Sequence, residues 1–156
     1  MKPTQPRCLI LACGNTLRGD DGVGPWLCDW AANHFASDPR IQTIARQQWT
    51  PDLAQDIANA GSVLFLDCSI ATSPGEINLK AVEPAASSPG LATHHTGAAE
   101  LLALAKELYN STPRTSLLLT IGAGSTDLGE SFSQAVTATL PEACRMIEST
   151  VATALA

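Results

Sequence analysis

The chain has 156 residues, which suits one domain, because compact domains usually hold about 100–200 residues. Hydrophobic residues make up 45% of it and charged residues 15%, enough apolar side chain for a packed core without disulfide or metal staples. Fifteen acidic residues against nine basic ones leave a net charge of −6, which excludes a phosphate-neutralising nucleic-acid binder, and no apolar run approaches the roughly 20 residues that a membrane helix needs.

Residues 1–7, MKPTQPR, lack the apolar core of a secretory signal, so the expected location is cytoplasmic. Residues 8–13, CLILAC, form an apolar run closed by Gly14-Asn15 and predict a strand buried on both faces. An eight-residue loop follows. Val23, Trp26, Leu27, Trp30, Ala31 and His34 then recur along one face of a helix, with Pro25 in its first turn and His34 as a half-buried packing residue. A second strand is expected at 41–48, and Thr50-Pro51-Asp52 offers a cap, a proline and a carboxylate to a helix ending near Gly61. Val63 to Leu66 is a third, wholly apolar strand running into Asp67-Cys68-Ser69. Strand, helix, strand, helix, strand implies a parallel sheet.

Residues 76–83 alternate in polarity and predict an edge strand, and 84–91, rich in Pro, Ser, Gly and Ala, is a loop. Ala98, Leu101, Leu102, Ala105, Leu108 and Tyr109 mark a helix with Thr93 or Thr96 as its cap, and 115–121 is a central strand. A glycine-punctuated loop leads to a last helix from Ser133, which Pro141 is expected to kink or restart. No repeat or linker divides the chain, so 1–156 reads as a single domain.

Right-handed crossovers put the strand-to-helix loops of a parallel sheet on one edge, beyond the carboxyl ends of the strands. Three polar clusters belong there: GNTLRGDDGVG at 14–24, Asp67-Cys68-Ser69, and Thr93-His94-His95-Thr96. The glycines of the first do not make a dinucleotide site. Leu27 stands where the third glycine of that fingerprint belongs, and Asp20 and Asp21 put negative charge where a pyrophosphate needs bare amides. A cation resolves the same clustering. Two carboxylates and one imidazole form an O,O,N set suited to nickel, zinc or manganese, with coordination positions left open.

Both aspartates are alternatively caps of the helix that begins near Gly22; the preferred division gives Asp20 to the cap or loop and Asp21 to the cleft. Asp67 alone would read as a turn residue, and Asn15 as either a turn residue or a hydrogen-bonding neighbour of the site. His94 and His95 are adjacent and point apart, so at most one ligates. The five cysteines show no paired metal or redox spacing and read as reduced thiols; Cys13 and Cys68, at strand ends beside the polar clusters, are candidates for soft auxiliary ligands.

Taken together, GNTLRGDDGVG, LFLDCS, THHTGAAELL and IGAGSTDLGESFSQAV, in that order, resemble the hydrogenase maturation endopeptidases over nearly the whole chain. That resemblance implies a three-layer α/β sandwich, with a five-stranded, mostly parallel twisted sheet flanked by helices on both faces. It implies a peptidase that removes a C-terminal peptide from the precursor of a nickel-iron hydrogenase large subunit, acting as a cytoplasmic monomer once nickel has been inserted. It also implies a metal-contacting and catalytic triad of Asp21, Asp67 and His94, the acidic position of Asp21 being glutamate in some relatives. His94 is preferred to His95 because His94-His95-Thr96-Gly97 matches the family's spacing of histidine, any residue, Thr or Ser, then Gly. The nickel would be supplied by the substrate, with zinc or another divalent ion as a possible substitute. It would act as a recognition element, with carbonyl polarisation, water activation, or a carboxylate general base left open as the chemistry. Two other readings stand beside this one: a nickel-binding assembly factor that cuts nothing, and a germination-type protease with another protein substrate.

Overall fold

The computed structural model describes residues 7–86 and 96–156. Strands β1 (Cys8–Cys13), β2 (Ile41–Arg46), β3 (Ser62–Ser69), β4 (Ile77–Ala81) and β5 (Thr115–Gly122) form a five-stranded sheet in the order β2-β1-β3-β5-β4. β1 pairs in parallel with β2 and β3, and β3 with β5; β4 alone is antiparallel, against β5. Helices α1 (Val23–His34) and α4 (Gln134–Leu155) cover one face, and α2 (Leu53–Asn59) and α3 (Ala98–Tyr109) cover the other. The expected three-layer, mostly parallel sandwich is the observed one.

The period of two along each strand divides the core. Cys8, Ile10 and Ala12 of β1, with Leu64 and Leu66 of β3, pack under α1 and α4; Leu9, Leu11, Val63 and Phe65 pack under α2 and α3. Cys8–Cys13 and Val63–Leu66 are therefore apolar at every position, which is why they read as continuous runs. Edge strands β2 and β4 are only partly buried. Cys13 continues the parity of Leu9 and Leu11, and Asp67 that of Val63 and Phe65, so both arrive at the carboxyl edge on the α2/α3 side.

Several boundaries differ from expectation. Thr50 does not cap α2: its hydroxyl donates to the Asp52 carboxylate, while Leu53 N and Ala54 N donate to the carbonyls of Thr50 and Pro51 in a turn that leads into the helix. Gly97, in extended conformation, occupies the N-cap of α3 with no side-chain cap, so Thr96 lacks that role, and Thr93 lies outside the described residues. α4 runs through Pro141 as one helix, its start capped by Ser133, whose Oγ accepts from Val136 N. His34 lies further out than half-buried, stacked on Trp30 with ring centroids 4.6 Å apart and with Nε2 3.5 Å from Glu148 Oε1.

Chain connectivity locates the cleft. β1 leads through α1 to β2 on one side, and β2 leads through α2 back across to β3 on the other. The crossovers thus diverge between β1 and β3, and the crevice beyond the carboxyl ends of such a pair is where open α/β sheets bind ligands.

Candidate functional site

The segment between β1 and α1 is a compact turn. Gly14 leaves the strand at φ 152°, a conformation L side chains rarely adopt, and a Cβ there would stand 2.0 Å from the Asp21 carbonyl oxygen. Asn15 Oδ1 accepts from Leu17 N at 2.9 Å, and its carbonyl accepts from Arg18 N at 3.0 Å, so its side chain is the turn-forming one. Asn15 N in turn donates to Asp21 Oδ2 at 2.7 Å, so the same residue also orients the carboxylate. Residues Gly19–Gly22, within the expected loop, form a 3-10 turn packed against β3.

Neither aspartate caps α1, whose N-cap is Gly22 without a side-chain bond. Asp20 is fully buried, at 0% exposure, and clamps the loop between β5 and α4. Its Oδ2 accepts from Gly124 N at 2.7 Å, Ser125 N at 3.0 Å and Ser133 Oγ at 2.7 Å, and its Oδ1 accepts from Ser133 N at 2.7 Å. Burial alone would raise the proton affinity of this carboxyl. The bonds from Ser133, Ser125 and Gly124 outweigh it and hold the group below the usual aspartate range. Asp20 belongs to the loop, as the division of roles expected, and the strength of that attachment was not legible from the sequence.

Asp21 is half-buried and makes none of the bonds to the β5–α4 loop that hold Asp20. Asp67 stands near the end of β3, with Oδ1 accepting from Cys68 N at 2.8 Å and the carboxylate also accepting from the Cys13 thiol on the neighbouring strand. Burial raises the proton affinity of Asp67, and the negative charge of Asp21 raises it further, against the two hydrogen bonds. The two carboxylates therefore share one electrostatic neighbourhood at the switch point. Among the described residues no ion pair offsets either of them, and Oδ1 of Asp21 meets no protein donor.

The thiols respond to the same field. Burial first, then Asp67 and Asp21, raise Cys13 far above an ordinary thiol; burial, Asp21 and Asp67 push Cys68 up to about 12. Both are neutral at physiological pH, and each would have to shed a proton to bind a metal. Cys13 acts here as a donor to Asp67, a role its strand-end position hinted at only as a candidate ligand.

His94 and His95 lie outside the described residues. The described residues that follow, Thr96 and Gly97, enter α3, whose N-terminus faces the carboxyl edge because α3 descends to feed β5. Among the described residues no group of three or more His, Cys, Asp and Glu is gathered to hold a metal ion. Asp21 and Asp67 are two hard oxygen donors with uncompensated like charge, an arrangement that fits part of a divalent cation's coordination shell and leaves the remainder to other donors. Among the described residues no helix is long and apolar enough to cross a membrane.

No family model and no curated protein sequence matches the chain. Solved structures do. The fold is similar to that of a hydrogenase 2 maturation peptidase from a Thaumarchaeota archaeon, with a TM-score of 0.68 and 24% identity over 94% of this chain and 98% of that one. It is similar to the hydrogenase maturating endopeptidase HybD from E. coli, with a TM-score of 0.70 and 17% identity over 93% and 91% of the two chains. It is also similar to the [NiFe] hydrogenase maturation protease HybD from Thermococcus kodakarensis, with a TM-score of 0.69 and 23% identity over 92% and 98%. The architecture is thus shared, over more than nine-tenths of the chain, with proteins of that description.

Proposed function

We propose that the chain is an endopeptidase that removes a C-terminal peptide from the nickel-loaded precursor of a nickel-iron hydrogenase large subunit, acting as a monomer in the cytoplasm. One observation carries this reading. Asp21 and Asp67, two carboxylates that form no ion pair among the described residues, share the switch point of a fold similar to that of hydrogenase maturation proteases over more than nine-tenths of the chain.

In this reading the nickel belongs to the substrate. Asp21 and Asp67, joined by His94, contact the metal that the precursor carries, and that contact sets the scissile peptide alongside the carboxylates. Asn15 N holds Asp21 and the Cys13 thiol holds Asp67, so neither carboxylate has to be ordered when substrate arrives. Hydrolysis then requires a water oxygen to bond to the scissile carbonyl carbon, the C–N bond to break, and a proton to pass from the water to the departing amine. A buried carboxyl with raised proton affinity is suited to carry that proton.

The direct test is to incubate the protein with nickel-loaded large-subunit precursor and record the intact mass of the product. The expected product is shorter by one C-terminal peptide. An unshortened precursor that nevertheless binds the protein would favour a nickel escort instead.

A further inference from the structure

Beside the candidate site runs a groove of about 320 Å³ that the carboxylate chemistry does not use. Gly22, the residue after Asp21, and Pro25 form its near side. Its floor is aromatic: Trp26 of α1 and Phe132, just before α4, meet edge to face with ring centroids 6.3 Å apart and planes at 79°. Trp26 lies on the helix face that sequence periodicity marks as apolar, yet it is 41% exposed. Asp29, one helical turn further along α1, and Glu130, on the facing loop, complete the lining with two exposed carboxylates. Among the described residues neither is in an ion pair, and no basic side chain lines the groove.

The rim continues the pattern. Leu17 is 57% exposed and Leu128 is 81% exposed, on two segments bridged backbone to backbone: Gly129 N donates to Leu17 O at 2.8 Å and Gly19 N to Gly129 O at 2.7 Å. Asp20 anchors the same loop from beneath through its bonds to Gly124, Ser125 and Ser133. These leucines therefore stand on a fixed platform beside the groove, where their exposed side chains offer apolar contact.

We propose that this groove takes an arginine side chain of the polypeptide substrate, flanked by apolar residues that rest on Leu17 and Leu128. The proposal rests on the reading that the substrate is a polypeptide. The choice of occupant follows from charge and shape. A guanidinium is planar and stacks on an indole face, its aliphatic stem covers apolar surface, and its charge satisfies the two acids that lack a partner. An acidic or neutral segment leaves Asp29 and Glu130 unpaired, and a chain with a net charge of −6 repels a second acidic copy of itself.

The probes are the tripeptide acetyl-Leu-Arg-Leu-amide and its counterpart with glutamine for arginine. Titrated into the full-length protein, the arginine peptide is expected to shift the indole N–H resonance of Trp26 saturably. The glutamine peptide, or the arginine peptide on the Asp29→Asn/Glu130→Gln variant, is expected to bind about five- to tenfold more weakly. In precursor processing the same variant should lose about five- to tenfold in kcat/KM, the loss residing in KM. Equal binding of the two peptides, or no response of Trp26, would overturn the proposal. So would concentration-dependent self-association removed by Trp26→Gln, which assigns the groove to a second copy. Arginine-selective binding without precursor cleavage sinks the proteolytic reading and leaves the groove standing; cleavage indifferent to the double variant does the reverse.

Discussion

Asp67→Asn is expected to abolish processing while leaving the protein at least as stable as the wild type. The amide oxygen of asparagine can still accept from Cys68 N, so the backbone bond that orients the side chain survives. What disappears is a charge held in a desolvated position beside Asp21. Removing a buried like charge relieves the fold, whereas losing the proton transfer proposed for this carboxylate would cost about 10²–10⁴ in rate. Asp21→Asn should lose a comparable factor for the same reason. The measurement is kcat/KM on nickel-loaded precursor beside a thermal melt of each variant. Processing within a few-fold of wild type would remove the carboxylate pair from the chemistry, and a sharp fall in melting temperature for Asp67→Asn would reassign that residue to structure.

Asp20→Asn should show the opposite profile, a large loss of stability. The Asp20 carboxylate accepts three backbone N–H donors and one hydroxyl in a fully buried position, and an amide presents its own N–H₂ to one side of that donor set. With charge-assisted bonds each contributing about 1.5–3 kcal/mol and a buried donor left unpaired, the expected cost is at least about 3 kcal/mol. At this chain length that corresponds to roughly 6–12 °C in Tm. The pH dependence has a definite sign. The folded proton affinity of Asp20 is depressed, so its contribution is present above the ordinary aspartate pKa of about 3.9 and is lost as pH falls through the lower folded value. Urea unfolding across that acid range should show the component in wild type and its absence in Asp20→Asn. A variant within about 0.5 kcal/mol of wild type would contradict the clamp.

These two neighbours show how much of the site could be read from residues alone. The β1 and β3 cores were legible because both strands are apolar on both faces, and that continuity led directly to a parallel sheet and to its carboxyl edge. Asp21 and Asp67 followed, since each stands at the carboxyl edge, Asp67 near the end of a strand and Asp21 in the loop after one. Spacing does not divide the roles of Asp20 and Asp21, which depend on the direction each side chain takes from the turn. The partners of Asp20 lie 104 to 113 residues away, and no local pattern announces a bond of that span. The contact between the Cys13 thiol and Asp67 was hidden for a related reason: it depends on strand register, which pairs Ala12 with Leu66 and so sets the following residues side by side. Helix ends misled where side-chain capping was expected and backbone turns did the work instead, at Thr50 and at Gly97. The resemblance to the hydrogenase maturation endopeptidases, drawn from four short segments, extends to the whole fold.

The role proposed for Asp21 and Asp67, contact with the metal that a precursor carries, is tested by presenting the protein with two preparations of one large-subunit precursor, nickel-loaded and nickel-free, and following the shortened product of each over time. The nickel-loaded chain is predicted to be cut and the nickel-free chain to remain at full length. Equal cutting of both would contradict that role and show that the two carboxylates do not depend on the metal to engage the precursor.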